Sequence, residues 1–391
     1  MNSGKYIFSQ IISLASHNEF KICVERYNGN YKIQDFSCWE QFLYLVYGQL
    51  TFRESIHDII NCLTSQRKKL YHIGIKSVVA VSTVTRANEN RNWQIYADFA
   101  KHLIVTARSL YITDNEFVLD LGNTIYALDS STIDLCLNTF WWAKFRKHKG
   151  AIKMHTLLDL RGNIPTFICI TTGKIHDVNI LDTIEFEIGA FYVIDRGYID
   201  FKRLYLITNS LAFFVTRGKS NLQFRVLKSK QLTISEKEAG LRCDQTIKLT
   251  VKKSKKDYPA KLRRIKFKDL ETGKTYVYLT NNFTVDALII TKLYKYRWKI
   301  ELFFKWIKGH LKIKTFWGHS ENAVKMQIWI AICAFLLVAI AKKRYKIEHT
   351  IYEMLQIISV SAFDKDTINE LFSKPTTEIS KNEHCNQLTI F

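Results

Sequence analysis

Two aspartates that lie far apart in the sequence stand where a carboxylate could bind a metal ion. Asp129 and Asp195 each end a short apolar segment, TIYALD and FYVID, that is typical of a buried strand. A carboxylate at the end of a strand is exposed and rigidly aimed, which suits a metal ligand. A single aspartate in such a place is more often a turn residue or a helix cap, but two on neighbouring strands would point at one spot.

A third carboxylate, Glu301, is the only acidic residue in YKYRWKIELFFKWIKGHLKI, residues 294–313. In one continuous helix of about 100° per residue, the face of Glu301 also carries Tyr294, Arg297, Lys305 and Lys308. The other side, predicted to bury against a sheet, carries Leu293, Trp298, Leu302 and Trp306. An i, i+4 ion pair of Glu301 with Arg297 or Lys305 is the simpler explanation. It leaves unexplained why the same face stays basic over about four turns.

The chemistry open to these residues is phosphodiester cleavage and transfer. Hard oxygen ligands without a nearby His or Cys favour Mg²⁺ or Mn²⁺ over zinc. Three carboxylates can hold two such ions, one activating a water or a 3′-hydroxyl and one stabilising the leaving oxygen of an in-line displacement at phosphorus. The surrounding Arg and Lys would then hold phosphates.

Bulk composition favours a nucleic-acid partner. The chain has 391 residues, with 57 Lys+Arg against 36 Asp+Glu and a formal net charge of +21. Such a surface attracts polyanions, although a merely soluble basic enzyme is an alternative. Eight cysteines without C-x-x-C spacing indicate neither a zinc site nor a disulfide framework. Without a signal-peptide pattern, and with a longest apolar run (residues 328–341) too short to cross a bilayer, the chain is expected to be cytoplasmic and not membrane-bound.

The middle of the chain predicts the sheet that must position the aspartates. From about residue 115 the hydrophobic period changes to that of strands. TIYALD, AIKMHTLLDL and IPTFICITTG predict three successive strands, the last two joined by a turn at residues 161–163. A helix capped by Asp177 and the strand FYVID follow. Three antiparallel strands, a helix and a parallel strand are the order of an RNase H-like core.

The first 112 residues predict a helical DNA-binding domain. After a break at Gly74, a short helix capped by Ser82 and a longer helix from about Trp93 give a helix-turn-helix-like layout. The short helix would present Thr83, Thr85, Arg86 and Asn88 to DNA. An ordinary helical bundle is equally compatible with this pattern.

The segment 217–268 combines strand-like alternation with 17 Lys+Arg against 4 Asp+Glu. A charged, solvated sheet face is one explanation, and a surface that grips a nucleic-acid backbone is the one we favour.

Together these motifs resemble those of a known enzyme family. The spacing Tyr294-x2-Arg297-x3-Glu301-x6-Lys308, with ALDSST around Asp129 and VIDRGY around Asp195, is similar to the signature of DDE insertion-sequence transposases of the bacterial family usually numbered four. The resemblance implies that the three acids are the catalytic, metal-binding triad for two Mg²⁺ or Mn²⁺ ions. It further implies that Tyr294, Arg297 and Lys308 contact phosphates near the cleaved end.

The resemblance also implies a function and partners. A transposase of this kind binds the terminal inverted repeats of its element, excises the element through a hairpin, and joins it to target DNA, with at least a homodimer holding two ends. An aromatic residue of the β-insertion stacks on a flipped base in that scheme. This chain has no Trp between Asp195 and Trp298. The candidates for the stacking residue are therefore Tyr258, Phe267, Tyr276 and Tyr278.

The predicted organisation is therefore an α/β protein with an RNase H-like catalytic core, interrupted by a β-strand-rich insertion and preceded by a helical domain. The predicted segments are a DNA-binding domain at 1–112, the core at 113–216 and 276–345, the insertion at 217–275, and a C-terminal helical segment with a tail at 346–391. A bacterial, nucleoid-associated location follows. Two alternatives are a host nuclease on the same fold and a catalytically decayed DNA-binding protein or repressor.

Overall fold

The computed structural model describes residues 4–112, 121–146, 149–310, 313 and 315–373, and the predicted α/β class is confirmed in them. The N-terminal helices are α1 (Ile7–Ile12), α2 (His17–Arg26), α3 (Cys38–Leu50), α4 (Ile56–Ser65), α5 (Val81–Asn90) and α6 (Gln94–Tyr111). The strands are β1 (Ile125–Leu135), β2 (Lys144–Arg146), β3 (Lys149–Asp159), β4 (Ile164–Thr172), β5 (Phe191–Ile194), β6 (Phe213–Arg217), β7 (Phe224–Ser229), β8 (Leu241–Leu249), β9 (Leu262–Lys268) and β10 (Thr275–Thr280). The later helices are α7 (Phe201–Asn209), α8 (Ile234–Glu238), α9 (Lys252–Asp257), α10 (Ala287–Lys295), α11 (Trp298–His310), α12 (Glu321–Arg344), α13 (Ile351–Ser361) and α14 (Ile368–Leu371).

One mixed sheet runs through the molecule in the order β2-β3-β1-β5-β6-β10-β9-β8-β7, with β4 paired to β3. β1, β3 and β4 are antiparallel, whereas β5 is parallel to both β1 and β6. The predicted order of three antiparallel strands followed by a parallel strand is thus confirmed. The helix expected before β5 is a short 3-10 helix, Asp177–Thr183, and Asp177 does not cap it.

The strands of the basic segment after residue 217 extend this same sheet. β10 pairs with β6 on one side and with β9 on the other, and β8 and β7 follow outward. Arg263 on β9 makes a buried bidentate pair with Asp244 on β8, at 2.7 and 2.8 Å, and donates to the carbonyl oxygen of Val285 at 2.5 Å. These bonds tie the outer strands to the loop that leads into α10.

The most apolar segment forms a buried helix that is longer than predicted. α12 has 24 residues rather than 14, because polar residues from Glu321 onward continue the helix and Ser320 caps it by accepting from the Ala323 N–H at 3.2 Å. By length and composition it could cross a membrane, yet 94% of its most apolar window is buried inside the protein. It packs among α3, α5 and α6, so the N-terminal helices and the later segment share one core.

The predicted C-terminal helical segment packs on the core. Leu355 and Ile358 of α13 are fully buried, and the helix contacts α1, α3 and α12. Residues 374–391, which include the predicted tail, lie outside the described residues.

The buried pair predicts a stability effect. Asp244→Ala would leave the Arg263 guanidinium buried without its carboxylate, and we expect the free energy of unfolding to fall by about 3–5 kcal/mol. Urea denaturation measures this change. The control is Glu271→Ala, which removes an exposed ion pair with Lys295 at 3.5 Å and should leave stability unchanged. Equal effects of the two variants would contradict a structural role for the buried pair.

Candidate active site

The two aspartates leave the sheet side by side. The parallel ladder of β1 and β5 ends at the pair Leu128↔Ile194, so Asp129 and Asp195 are the next residues in register. Because side chains alternate along a strand, both share the face of Ala127 and Val193. That face packs in the core that contains Ile300 of α11, whereas Leu128 and Ile194 face a second core.

Only one of the two aspartates ends its strand. Asp195 follows β5 and accepts from the Gly197 N–H at 3.2 Å, at the start of a 3-10 turn. Asp129 lies inside β1, which continues to Leu135 paired with β3 alone. The prediction that TIYALD stops at Asp129 is wrong, because β3 supports β1 beyond the end of β5. The Asp129 carboxylate is instead held by the Ser130 N–H at 2.8 Å.

Glu301 lies on α11, and the continuous helix predicted around it is broken. α10 ends at Lys295, the chain turns at Tyr296 and Arg297, and α11 begins at Trp298. The predicted burial of Leu293 is confirmed, but Trp298 and Leu302 are 48% and 44% exposed. One helical wheel cannot predict burial in both helices, because the turn between them gives α11 a buried face of its own. That face consists of Ile300, Phe303, Phe304 and Ile307.

Arg297 joins the carboxylates at the turn between the two helices. Its Nη1 donates to Asp129 Oδ2 at 2.7 Å, and its Nη2 donates to Glu301 Oε1. The Tyr294 hydroxyl donates to Asp195 Oδ1 at 3.3 Å. Residues 129, 195 and 301 thus converge on one arginine and one tyrosine. The i, i+4 ion pair that was the simpler explanation of Glu301 is present, but it is part of this larger cluster.

The donor set suits a hard cation, although the side chains do not form a cage in this arrangement. Within the ranges that the structure describes, no three His, Cys, Asp or Glu side chains lie close enough together to hold a metal ion. The Arg297 guanidinium supplies the positive charge between Asp129 and Glu301. The Glu301 side chain is 57% exposed, so it can rotate away from Arg297. The donors are carboxylate oxygens, which Mg²⁺ and Mn²⁺ prefer.

Different surroundings shift the pKa values of the two aspartates in opposite directions. Burial raises the pKa of Asp129 to about 6, and the neighbouring Asp195 and Glu301 add to this effect while Arg297 opposes it. Burial also acts to raise the pKa of Asp195. The N–H groups of Gly197 and Arg196, with Arg297 and the Tyr294 hydroxyl, outweigh burial and hold that pKa below its usual value.

Sequence comparisons identify the family of this chain. The transposase DDE domain family matches residues 120–337, the segment that carries all three carboxylates. The chain belongs to this DDE transposase family. A domain of unknown function, DUF4372, matches residues 3–76.

Relatives of this DDE transposase chain come from several bacteria. A protein of Sinorhizobium fredii named as transposase y4zB is 34% identical over 60% of this chain and 65% of its own length. A protein of Geobacillus stearothermophilus, named as a transposase for insertion sequence element IS5377, is 26% identical over 73% of this chain and 75% of its own length. A piggyBac transposase synaptic complex with hairpin DNA covers 96% of this chain and 84% of its own, at 10% identity and a TM-score of 0.46. That likeness is too weak to support an inference.

The other residues predicted to contact phosphates differ in exposure. Lys308 is half-buried and donates its Nζ proton to the carbonyl oxygen of Thr132, which ties α11 to β1. Lys305 is exposed on the same helix. Tyr294 is buried and bonded to Asp195. Phosphate contacts by these residues stay predictions.

A polar cluster beside Asp129 includes Asp177, which the sequence pattern had indicated only as a helix cap. Asp177 Oδ1 accepts from Ser130 Oγ at 2.9 Å and lies 3.1 Å from Lys153 Nζ. His155 Nδ1 is 3.8 Å from the same oxygen, and burial lowers the pKa of His155 to about 4. Asp177 thus braces β1 and β3 next to the site. Its position before an apolar segment indicated a helix cap, because a contact to a residue 47 positions away leaves no local pattern.

The N-terminal residues predicted to read DNA are only partly available. Asn88 is buried, accepts from Gln41 Nε2 at 2.6 Å, and accepts from Asn322 through its main-chain oxygen at 2.8 Å. Its assignment to DNA binding is therefore wrong, since α5 turns this face into the core against α3 and α12. Thr85 is half-buried and bonded to the Val81 carbonyl. The helix is preceded by Ala80, not capped by Ser82.

Two residues of that prediction keep a suitable position. Thr83 and the exposed Arg86 line a cavity of about 900 Å³ together with Lys76. DNA contact by this surface stays a prediction.

A cleft of about 940 Å³ opens next to Glu301. Its walls include Phe267, Tyr276, Tyr278, Trp298 and Arg217. The Arg217 guanidinium lies 4.6 Å from the ring centroid of Tyr276 and 5.0 Å from that of Tyr294. Among the aromatic candidates for base stacking, Tyr258 is excluded, because it is fully buried in the second core and bonded to Thr208.

The raised pKa of Asp129 predicts a pH-dependent cost of folding. The folded state holds the proton of Asp129 more tightly than the unfolded chain does, where the pKa of this aspartate is 3.8. The free energy of unfolding therefore falls as pH rises from about 4 to about 6. Asp129→Asn removes that cost. We expect the stability of the variant relative to the wild type to rise by about 2 kcal/mol between pH 4 and pH 7.

Urea unfolding at the two pH values measures this difference. Asp134→Asn, an exposed aspartate on the same strand, controls for the loss of one negative charge. If the stability difference between Asp129→Asn and the wild type were the same at both pH values, Arg297 would fully offset the effect of burial on the Asp129 pKa.

Proposed function

We propose that the protein is the transposase of an insertion sequence, which binds the terminal inverted repeats of its element, cleaves DNA and joins the ends to a target. The observation that carries the proposal is the convergence of Asp129, Asp195 and Glu301 on Arg297 and Tyr294 at one edge of the sheet. A merely structural role would not require three acidic residues from distant parts of the chain at one exposed edge. Family membership supports the same class of reaction.

The fold we propose for this activity is an RNase H-like core with a β-rich insertion. The order β4-β3-β1-β5-β6, with the first three antiparallel and the last two parallel to β1, supports the core. Strands β7 to β9, which carry many exposed cations, support a DNA-gripping insertion.

In the proposed mechanism, Asp129, Asp195 and Glu301 would hold two ions of Mg²⁺ or Mn²⁺. When bound, these ions supply the Lewis acidity that activates a water or 3′-hydroxyl and stabilises the leaving oxygen. Arg297 exchanges its carboxylate partners for a phosphate of the bound strand, which frees Asp129 and Glu301. Lys305 and Lys308 hold neighbouring phosphates along α11.

A hairpin intermediate is the finer step that we propose for excision. It needs a place for a base turned out of the duplex, with aromatic rings for stacking and cations for the backbone. The cleft beside Glu301 offers both, and Trp298 is its most exposed aromatic wall at the start of the catalytic helix. Tyr276, held under Arg217, is the second stacking surface.

The remaining parts of the proposal concern partners and place. The surface of Lys76, Thr83 and Arg86 is assigned to the inverted repeat. Because two ends must be held together, a homodimer is the smallest active unit. The protein then acts in the bacterial cytoplasm on the nucleoid.

The first experiment follows cleavage of a labelled duplex that carries the element end, defined from inverted repeats flanking the gene. With Mg²⁺ the wild type should nick the terminus, with Ca²⁺ it should bind without cutting, and Glu301→Gln should bind normally but cut at least about a hundredfold more slowly. Tight end binding without cleavage by the wild type would favour a decayed DNA-binding protein or repressor. Cleavage that ignores the end sequence would favour a host nuclease.

A second experiment separates nicking from hairpin formation. Trp298→Ala removes the proposed stacking surface, so the first nick should persist while the hairpin product falls by about tenfold or more. Trp298→Phe, which keeps a ring, should retain hairpin formation. Separation of the products on denaturing gels measures both nicking and hairpin formation. Equal loss of nick and hairpin in Trp298→Ala would overturn the assignment of this cleft.

A further inference from the structure

An arm of the sheet extends beyond the carboxylates. β1 continues from Asp129 to Leu135 and stays paired with β3 as far as Gly150, while β5 has already ended. The short strand β2 then pairs with the outer end of β3. We call residues 130–146 and 149–155 the arm. At about 3.4 Å per residue, its outer end lies roughly 20 Å from Asp129.

Three consecutive aromatic residues occupy the outer end of the arm, and two of them anchor it. Phe140 is buried, with its ring centroid 5.9 Å from that of Phe316 and 5.4 Å from that of His319. Trp142 Nε1 donates to the His319 carbonyl oxygen at 2.8 Å. Trp141, between these anchors, is 79% exposed. Because the contacts of Phe140 and Trp142 anchor the backbone on both sides, Trp141 is held exposed to solvent.

The charge around Trp141 selects an anionic partner. Lys144, Arg146 and Lys149 are exposed, and none of them forms an ion pair with a residue that the structure describes. The exposed acid of the arm is Asp134, nearer the carboxylates. An exposed indole beside exposed cations matches the pattern of side chains that insert among bases while neighbouring cations hold the backbone.

The arm is joined to the catalytic helix. Lys308 of α11 donates to the Thr132 carbonyl oxygen on β1, so the arm and Glu301 belong to one rigid edge. A duplex that runs from the carboxylates along the arm would pass over the exposed cations Lys144, Arg146 and Lys149. Under the proposed function, the DNA that is cut first at these carboxylates is the element end, which makes the element end the occupant.

We propose that Trp141 inserts its indole at a base step of the element-end duplex and partly unstacks it, about six base pairs from the scissile phosphate at roughly 3.4 Å per pair, while Lys144, Arg146 and Lys149 contact the flanking phosphates. This proposal rests on the proposed function. It assigns a DNA-contacting surface outside the carboxylate site and outside the cleft beside Trp298.

Binding of the full-length protein to a fluorescent element-end duplex tests the proposal in Ca²⁺, without cleavage. Trp141→Ala should weaken binding about tenfold, and Trp141→Phe should stay within about threefold of the wild type. The matched control is Ile188→Ala, which removes a side chain that is 74% exposed beside the start of β5, at the opposite edge of the sheet. It should bind as the wild type does.

Photocrosslinking locates the contact. Duplexes with 5-iodouracil at successive positions should crosslink to the peptide that contains Trp141 at about six base pairs from the terminus. Wild-type binding that is matched by Trp141→Ala would overturn this inference and leave the proposed function standing. Crosslinks to target DNA alone would also overturn it. Failure of the wild type to prefer the element end would overturn the proposed function, and this inference with it.

Discussion

The parallel pairing of β1 with β5 is the constraint on which the rest of the site depends. It ends at Leu128 and Ile194, so the next residue of each strand is an aspartate at the same level and on the same face. Strand alternation turns both carboxylates toward α10 and α11. A shift of one residue in this register would turn one aspartate into the opposite core, and no rearrangement of Glu301 could restore the cluster.

The Arg297 guanidinium allows three acidic groups to lie close together at one edge of the sheet. Coulomb repulsion between partly buried carboxylates is costly, and the guanidinium offsets it through bonds to Asp129 and Glu301. The turn at Tyr296 and Arg297 makes this bridge geometrically available, because it lies between the buried Tyr294 and the exposed Glu301. The same arginine suits phosphate because its planar fork matches phosphate oxygens as well as carboxylates.

Packing around α12 links the sheet to the N-terminal helices. α12 is buried along most of its length, with α6 and α3 against it. The N-terminal helices and the helix that carries Glu301 thus share a hydrophobic core. The burial of Asn88, beside Gln41 and Asn322, is a direct consequence. A change in the packing of this core would therefore displace both Arg86 and α11.

Local hydrophobic period and residue type were enough to predict the strand pattern, the buried apolar helix and the candidate acids with their Tyr-Arg-Glu-Lys spacing. Other features depend on contacts between distant parts of the chain. The break before α11, the run of β1 past Asp129, the brace at Asp177 and the burial of Asn88 all depend on partners distant in the chain. Local patterns cannot show them, since a side chain's exposure is set by what packs against it from elsewhere.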